Sequence, residues 1–147
     1  MRLRRGDPGD IATLARMLRS TYDRMTYIPR LHTPEEDVRY VSEVLYPGNE
    51  VWVAEEDGRV VGFAALTDDE LLQIHVDPTE QNRGIGTQLF GHAQERRPRG
   101  FTLWTFQKNV GARRFYERHG CRVAQLTDGA QNDEREPDVQ YEWRPPS

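Results

Sequence analysis

Cysteine is almost absent from this chain, with Cys121 standing alone. One thiol cannot close an internal disulfide, which excludes a disulfide-stapled scaffold and fits a reducing compartment. Nor can it complete the familiar zinc patterns, and the four histidines, His32, His75, His92 and His119, show no paired ligand spacing, so no metal is expected. Also missing is any run approaching the ~20 apolar residues of a membrane span. The basic start Met1-Arg2-Leu3-Arg4-Arg5 passes into Gly6-Asp7-Pro8-Gly9-Asp10 without an apolar signal core. A cytoplasmic protein with no membrane partner is expected. Positive charge is not in excess either, since the formal net charge is −4. That excludes a nucleic-acid partner as the main task, while a local basic strip could still hold one small polyphosphate.

What is present is a chain of 147 residues, 36% hydrophobic and 30% charged, which suits one soluble domain spanning 1–147. Residues 1–5 suggest a short strand, and Asp7 or Asp10 can cap a helix with Ile11, Leu14, Ala15, Leu18 and Tyr22 at helical spacing, stopped by Pro29. Thr33-Pro34-Glu35-Glu36 restarts a helix, to about Leu45, with a capping box. Two strands, Glu50 to Ala54 and Val60 to Leu66, flank the hairpin signal Asp57-Gly58. A strand from Leu71 to Val76 and a helix from Gly84 to about Arg97 follow. Next come a strand from Phe101 to Phe106, a helix from Val110 to His119, and closing strands at Arg122 to Gln125 and Val139 to Trp143. The order is mixed α/β, with one long polar loop, Thr127 to Pro137.

The stretch that carries chemistry is Val76-Asp77-Pro78-Thr79-Glu80-Gln81-Asn82-Arg83-Gly84-Ile85-Gly86-Thr87, in which a strand ends and two glycines open a helix. The start of a helix leaves backbone N–H groups unpaired and carries partial positive charge, so it can hold a phosphate if no side chain blocks it. No third glycine completes a dinucleotide fingerprint and no Gly-Lys-Ser/Thr completes a P-loop. A plain strand-to-helix turn is the alternative reading. Downstream lies a second motif, Asn109-Val110-Gly111-Ala112-Arg113-Arg114-Phe115-Tyr116-Glu117-Arg118-His119-Gly120.

Gln81-x-x-Gly84-x-Gly86, with Arg83 before the first glycine and the second motif in its place, resembles the GNAT superfamily of acetyltransferases. The resemblance implies the GNAT fold: a central, mixed, mostly antiparallel twisted sheet of about six to seven strands flanked by about four helices. It implies acetyl-coenzyme A as co-substrate, with Gln81, Asn82, Arg83, Gly84, Ile85, Gly86 and Thr87 at its pyrophosphate. Ile74, Val76, Asn109, Ala112 and Phe115 would lie along the rest of the molecule, Val76 through a backbone N–H that polarises the thioester carbonyl. Tyr116 is implied as the acid for the departing thiolate, because a phenol stays protonated at a pH where a thiol begins to ionise. A packed aromatic beside Phe115 is the plainer reading of that residue.

An alkylamine is protonated at neutral pH and must lose a proton before it attacks. Glu70, where histone-acetylating members are similar in having a glutamate base, and His75 on the same strand are the two candidates, against an exposed acidic turn and a satisfied polar residue. Cys121 has no base paired with it, so transfer is expected to be direct. The acceptor is expected to be a small-molecule amine, with a protein N-terminus or lysine as the alternative and a non-catalytic acyl-CoA sensor as another. Tyr22 to Thr33 and Thr127 to Asp138 are the segments expected to select it. A homodimer through the late strands is possible in principle, because exposed sheet edges invite a partner.

Overall fold

The computed structural model describes residues 1–146. Four strands, β1 (Arg2–Arg5), β2 (Glu50–Glu56), β3 (Arg59–Leu66) and β4 (Leu71–Val76), form an antiparallel sheet in that order. The apolar run of β3 does not alternate, as befits a strand covered on both sides. One side meets α1 (Ile11–Asp23) and α2 (Pro34–Tyr40, continued by a π-turn over Val41–Leu45): Leu14, Leu18, Val41 and Leu45 pack on Val53, Phe63 and Ala65. The other meets α3 (Ile85–Arg96), whose Ile85, Leu89, Phe90 and Ala93 pack near Val61, Ala64 and Leu66. Each Val, Leu, Ile or Phe among them, fully buried, contributes about 1.5–3 kcal/mol.

A second antiparallel sheet, in the order β5-β7-β6, comprises β5 (Phe101–Phe106), β6 (Arg122–Leu126) and β7 (Asp138–Trp143), with α4 (Val110–Arg118) between β5 and β6 in sequence. Phe101, Leu103, Val139 and Tyr141 join the core beneath α3, so both sheets share it. The two sheets meet through β4 and β5, which run parallel. A bridge pairs Glu70 with Thr102, and the Thr102 amide donates to the Asp69 carbonyl at 3.0 Å. Past that point no ladder joins β4 to β5 among the described residues, and the strands part toward Val76 and Phe106. The gap lies at the carboxyl ends of two parallel strands, where α/β sheets place their ligands.

The expected class, mixed α/β with about six to seven mostly antiparallel strands and about four helices, is what the structure has. The Asp57-Gly58 turn has φ of 52° and 75°, the left-handed pair that a tight hairpin requires. Two boundaries differ. α1 ends at Asp23, well before Pro29, because Tyr27 turns its ring edge-on to Phe106 at 6.0 Å and Ile28 is buried, contacts a continued helix could not make. The last turn of the second helix is π rather than α, which brings Val41 and Leu45 both into the core.

Candidate active site

The loop after β4 is shaped by its own sequence. Asp77 accepts from the Thr79 amide at 2.9 Å and holds the short turn Pro78–Glu80. Asn82 and Gly84 then take φ of 65° and 80°, a region open to glycine and tolerated by asparagine. α3 starts directly after Gly84 and no side chain caps it, whereas Thr33 caps α2 and Asn109 caps α4. The amides of the first turn of α3 are therefore open to water or to a ligand. A Cβ at Gly84 would meet nothing within 4 Å, while one at Gly86 would rest in contact with the Phe115 ring at 3.4 Å, which places the start of α3 against α4.

These groups border a cleft of about 670 Å³ lined by the end of β4, the glycine loop, α3 and α4. Ile74, His75, Val76, Gln81, Asn82, Gly84, Ile85, Gly86 and Thr87 line one side of it, and Asn109, Ala112, Phe115 and Tyr116 line the other. Of the residues singled out from sequence, Arg83 and Glu70 are not in this lining. The Arg83 guanidinium turns outward to the Glu56 carboxylate, at 2.8 and 3.0 Å, and to Glu80, which also binds Arg59. It ties the loop to the end of β2 instead of facing the cleft. Glu70 sits at the closed end of the V, paired with Thr102. Burial and the neighbouring Asp69 raise its pKa.

The charge of the cleft opposes that of the chain. Arg24, Lys108, Arg114 and Arg118 line it against the single carboxylate of Glu80, itself held by two arginines. This suits a polyphosphate in a protein of net charge −4. Sequence reasoning passed over these cations, although Gly111, Arg114, Phe115 and Arg118 recur at helical spacing on one face of α4. It also passed over Thr21, which only tertiary folding brings here, while Met25 and Tyr27 of the Tyr22 to Thr33 segment expected to select the acceptor line the cleft as well.

Backbone direction follows from the ladder. The Asp77 amide donates to the Val61 carbonyl of β3 at 2.8 Å, so alternation turns the amides of Val76 and Ile74 to the opposite edge, toward the gap. Tyr116 is 8% exposed, surrounded by Phe90, Phe115 and Tyr141, and borders the cleft. Burial raises its pKa, which keeps the phenol protonated. Burial likewise pushes the Cys121 thiol up to about 12, so it stays neutral and inert. His75 borders the cleft with both ring nitrogens engaged, Nδ1 with Thr21 Oγ1 at 3.1 Å and Nε2 with Gln73 Oε1 at 2.6 Å. Its ring stacks on Phe63, and desolvation takes its pKa down to about 4.

A second groove, of about 440 Å³, is lined by α1, α2 and Gln73 of β4. The two segments expected to select the acceptor meet in it, with Tyr22, Leu31 and His32 from one and Asp133 and Glu134 from the other. Gln73 lines this groove and bonds His75, which lines the cleft, so the two spaces adjoin on the face of β4 that both side chains share.

Residues 47–122 match the family model of the acetyltransferase (GNAT) domain. The chain is 32% identical over 114 residues to the peptidyl-lysine N-acetyltransferase YjaB of Salmonella typhimurium, covering 77% of this chain and 74% of that one. It is 37% identical over 73 residues to the peptidyl-lysine N-acetyltransferase YiaC of Escherichia coli, a match that spans 49% of either chain. Among solved structures, a GCN5-related N-acetyltransferase from Rhodopseudomonas palustris superposes with a TM-score of 0.79 at 19% identity, over 97% of this chain and 94% of that one. The family match contains both glycines of the loop and all of α4, and the chain belongs to the GNAT acetyltransferase family.

Proposed function

We propose that this protein transfers the acetyl group of acetyl-coenzyme A directly to a primary amine, and that the amine is a lysine side chain of a peptide. One observation carries the first half: an uncapped helix start behind a left-handed glycine, in a cation-lined cleft that runs past the end of β4 to Tyr116. The names of YiaC and YjaB support the second half. A small cationic amine is the other acceptor to weigh, because the groove beside β4 is bounded and carries the carboxylates of Glu36, Asp37, Glu43, Asp133 and Glu134.

In this reading the α3 amides and the cations on α4 hold the phosphates, and the pantetheine arm lies along the free edge of β4. The Val76 N–H donates to the thioester oxygen as negative charge grows there. Tyr116 gives its proton to the leaving sulfur, a role its raised pKa suits because the phenol is never spent before the thiolate forms. Glu70 lies at the closed base and His75 has both nitrogens committed, so neither is assigned as the base.

Calorimetric titration with acetyl-coenzyme A, with NADH as control, tests the first half: saturable binding of the former alone is expected. Thiol release with lysine peptides and with small diamines then separates the acceptors. Tyr116→Phe should bind acetyl-coenzyme A as the parent does and turn over about 10²-fold more slowly. Unchanged turnover would return Tyr116 to a packing role.

A further inference from the structure

Lys108 is the one lysine of the chain, the other side-chain cations being arginines, which do not accept an acetyl group in this chemistry. It stands in the turn that follows β5, between Phe106 and the Asn109 cap of α4, and the turn is fixed by the Asn109 amide donating to the Phe106 carbonyl at 3.0 Å. It lines the cleft, as do Tyr27 and His75. The ammonium lies 3.5 Å from Glu136 Oε2 and 5.9 Å from the centre of the Tyr27 ring.

Glu136 is an unusual neighbour. It is 9% exposed, and its Oε2 is buried without a hydrogen bond, as is the Tyr27 hydroxyl. The loop before β7 is built to hold it. Asn132 donates to the Glu136 carbonyl at 2.8 Å and accepts from its amide at 3.2 Å. The Gln107 amide donates to the Pro137 carbonyl at 2.9 Å, and Gly129, at φ 85°, passes so close to the Glu136 backbone that a Cβ would collide with it. A primary amine in the cleft thus faces a held carboxylate with an oxygen free to take a proton.

We propose that Lys108 is a self-acetylation site: the chain transfers an acetyl group to its own Lys108 amine. The inference rests on the acetyl transfer argued above. Lys108 Nζ gives up a proton to Glu136 and through it to solvent, then attacks the thioester carbonyl carbon. The C–N bond forms as the C–S bond breaks, the nitrogen gives its second proton to Glu136 and through it to solvent to leave the neutral amide, and the sulfur leaves with the Tyr116 proton, which solvent restores. Arginine in all other cationic positions confines the reaction to one side chain. The product is neutral, so the cleft loses one of its cations and Glu136 loses its counter-charge.

The full chain, incubated with acetyl-coenzyme A and no added amine, is followed by intact mass and peptide mapping. One acetyl group per chain on Lys108 is expected, at a rate independent of protein concentration. Lys108→Arg should take up none there, Glu136→Gln should react about 10-fold more slowly, and Tyr116→Phe about 10²-fold more slowly. A second readout needs no turnover: coenzyme A, which carries no acetyl group, should protect Lys108 from a succinimidyl ester. Any of four results overturns the proposal: no label on Lys108, a rate proportional to protein concentration, equal labelling in urea-unfolded chain, or no protection. A chain that binds no acetyl-coenzyme A loses both readings. One that binds it and releases thiol with an added amine, yet leaves Lys108 untouched, loses this one alone.

Discussion

His75 shows how burial changes the use to which a residue can be put. From sequence, an imidazole on the strand leading to the glycine loop is a natural base. In the fold its nitrogens meet Thr21 and Gln73, its ring lies on Phe63, and its pKa falls from 6.5 to about 4 through desolvation. The unfolded chain would take up a proton below pH 6.5 and the folded one only below about 4, so between these values acid favours unfolding. Stability from this group is complete above 6.5 and drains away as the pH falls toward 4. Thermal denaturation from pH 7 to 4 should therefore fall less steeply for His75→Gln than for the parent. Parallel curves would mean the ring titrates normally. None of this was legible in the sequence, since Thr21 lies on another element and desolvation is a property of the packed state. Tyr116, by contrast, could be picked out from its place in the second motif.

At the scale of elements, the glycine loop was legible in the residues, whereas the splay that frees the Val76 N–H was implied by the family resemblance alone. Gln81-x-x-Gly84-x-Gly86 after an apolar strand announces a turn into a helix, and the two glycines prove to do different things. Gly84 supplies a left-handed backbone at φ 80°, while Gly86 sits against the Phe115 ring of α4. Because a Cβ at Gly84 would touch nothing, Gly84→Ala should cost only the backbone strain, about 1–2 kcal/mol in urea denaturation. Its affinity for acetyl-coenzyme A should fall as well, since a loop relieved of that strain no longer presents the α3 amides. Unchanged stability would show that the loop holds another conformation in solution. The parting of β4 from β5 is defined by hydrogen bonds that are not made, and no residue pattern in either strand encodes a missing partner. Arg83 misled for a related reason: its position before the glycine fits a phosphate ligand, but Glu56, which claims it, is brought there by the β2–β3 hairpin.

The whole molecule is two sheets held by one ladder contact and one core. Leu89, Phe90 and Phe101 bury themselves among residues of both sheets, and that apolar contact joins the halves where backbone pairing does not. The cleft between them concentrates positive charge in a chain whose net charge is −4. A polyphosphate ligand seated there would touch α3, α4 and the free edge of β4 together, and would stabilise the native state by its own binding energy. At a concentration a hundred times its dissociation constant, the gain is about 2.7 kcal/mol. For a chain of this size that corresponds to a rise in Tm of about 5–10 °C. A shared core requires both sheets to melt in one transition, and that transition should move as a unit when acetyl-coenzyme A is added. Calorimetric scans with and without the ligand decide the matter: two transitions, of which the ligand moves one, would mean that the sheets are separate units and that the cleft belongs to one of them.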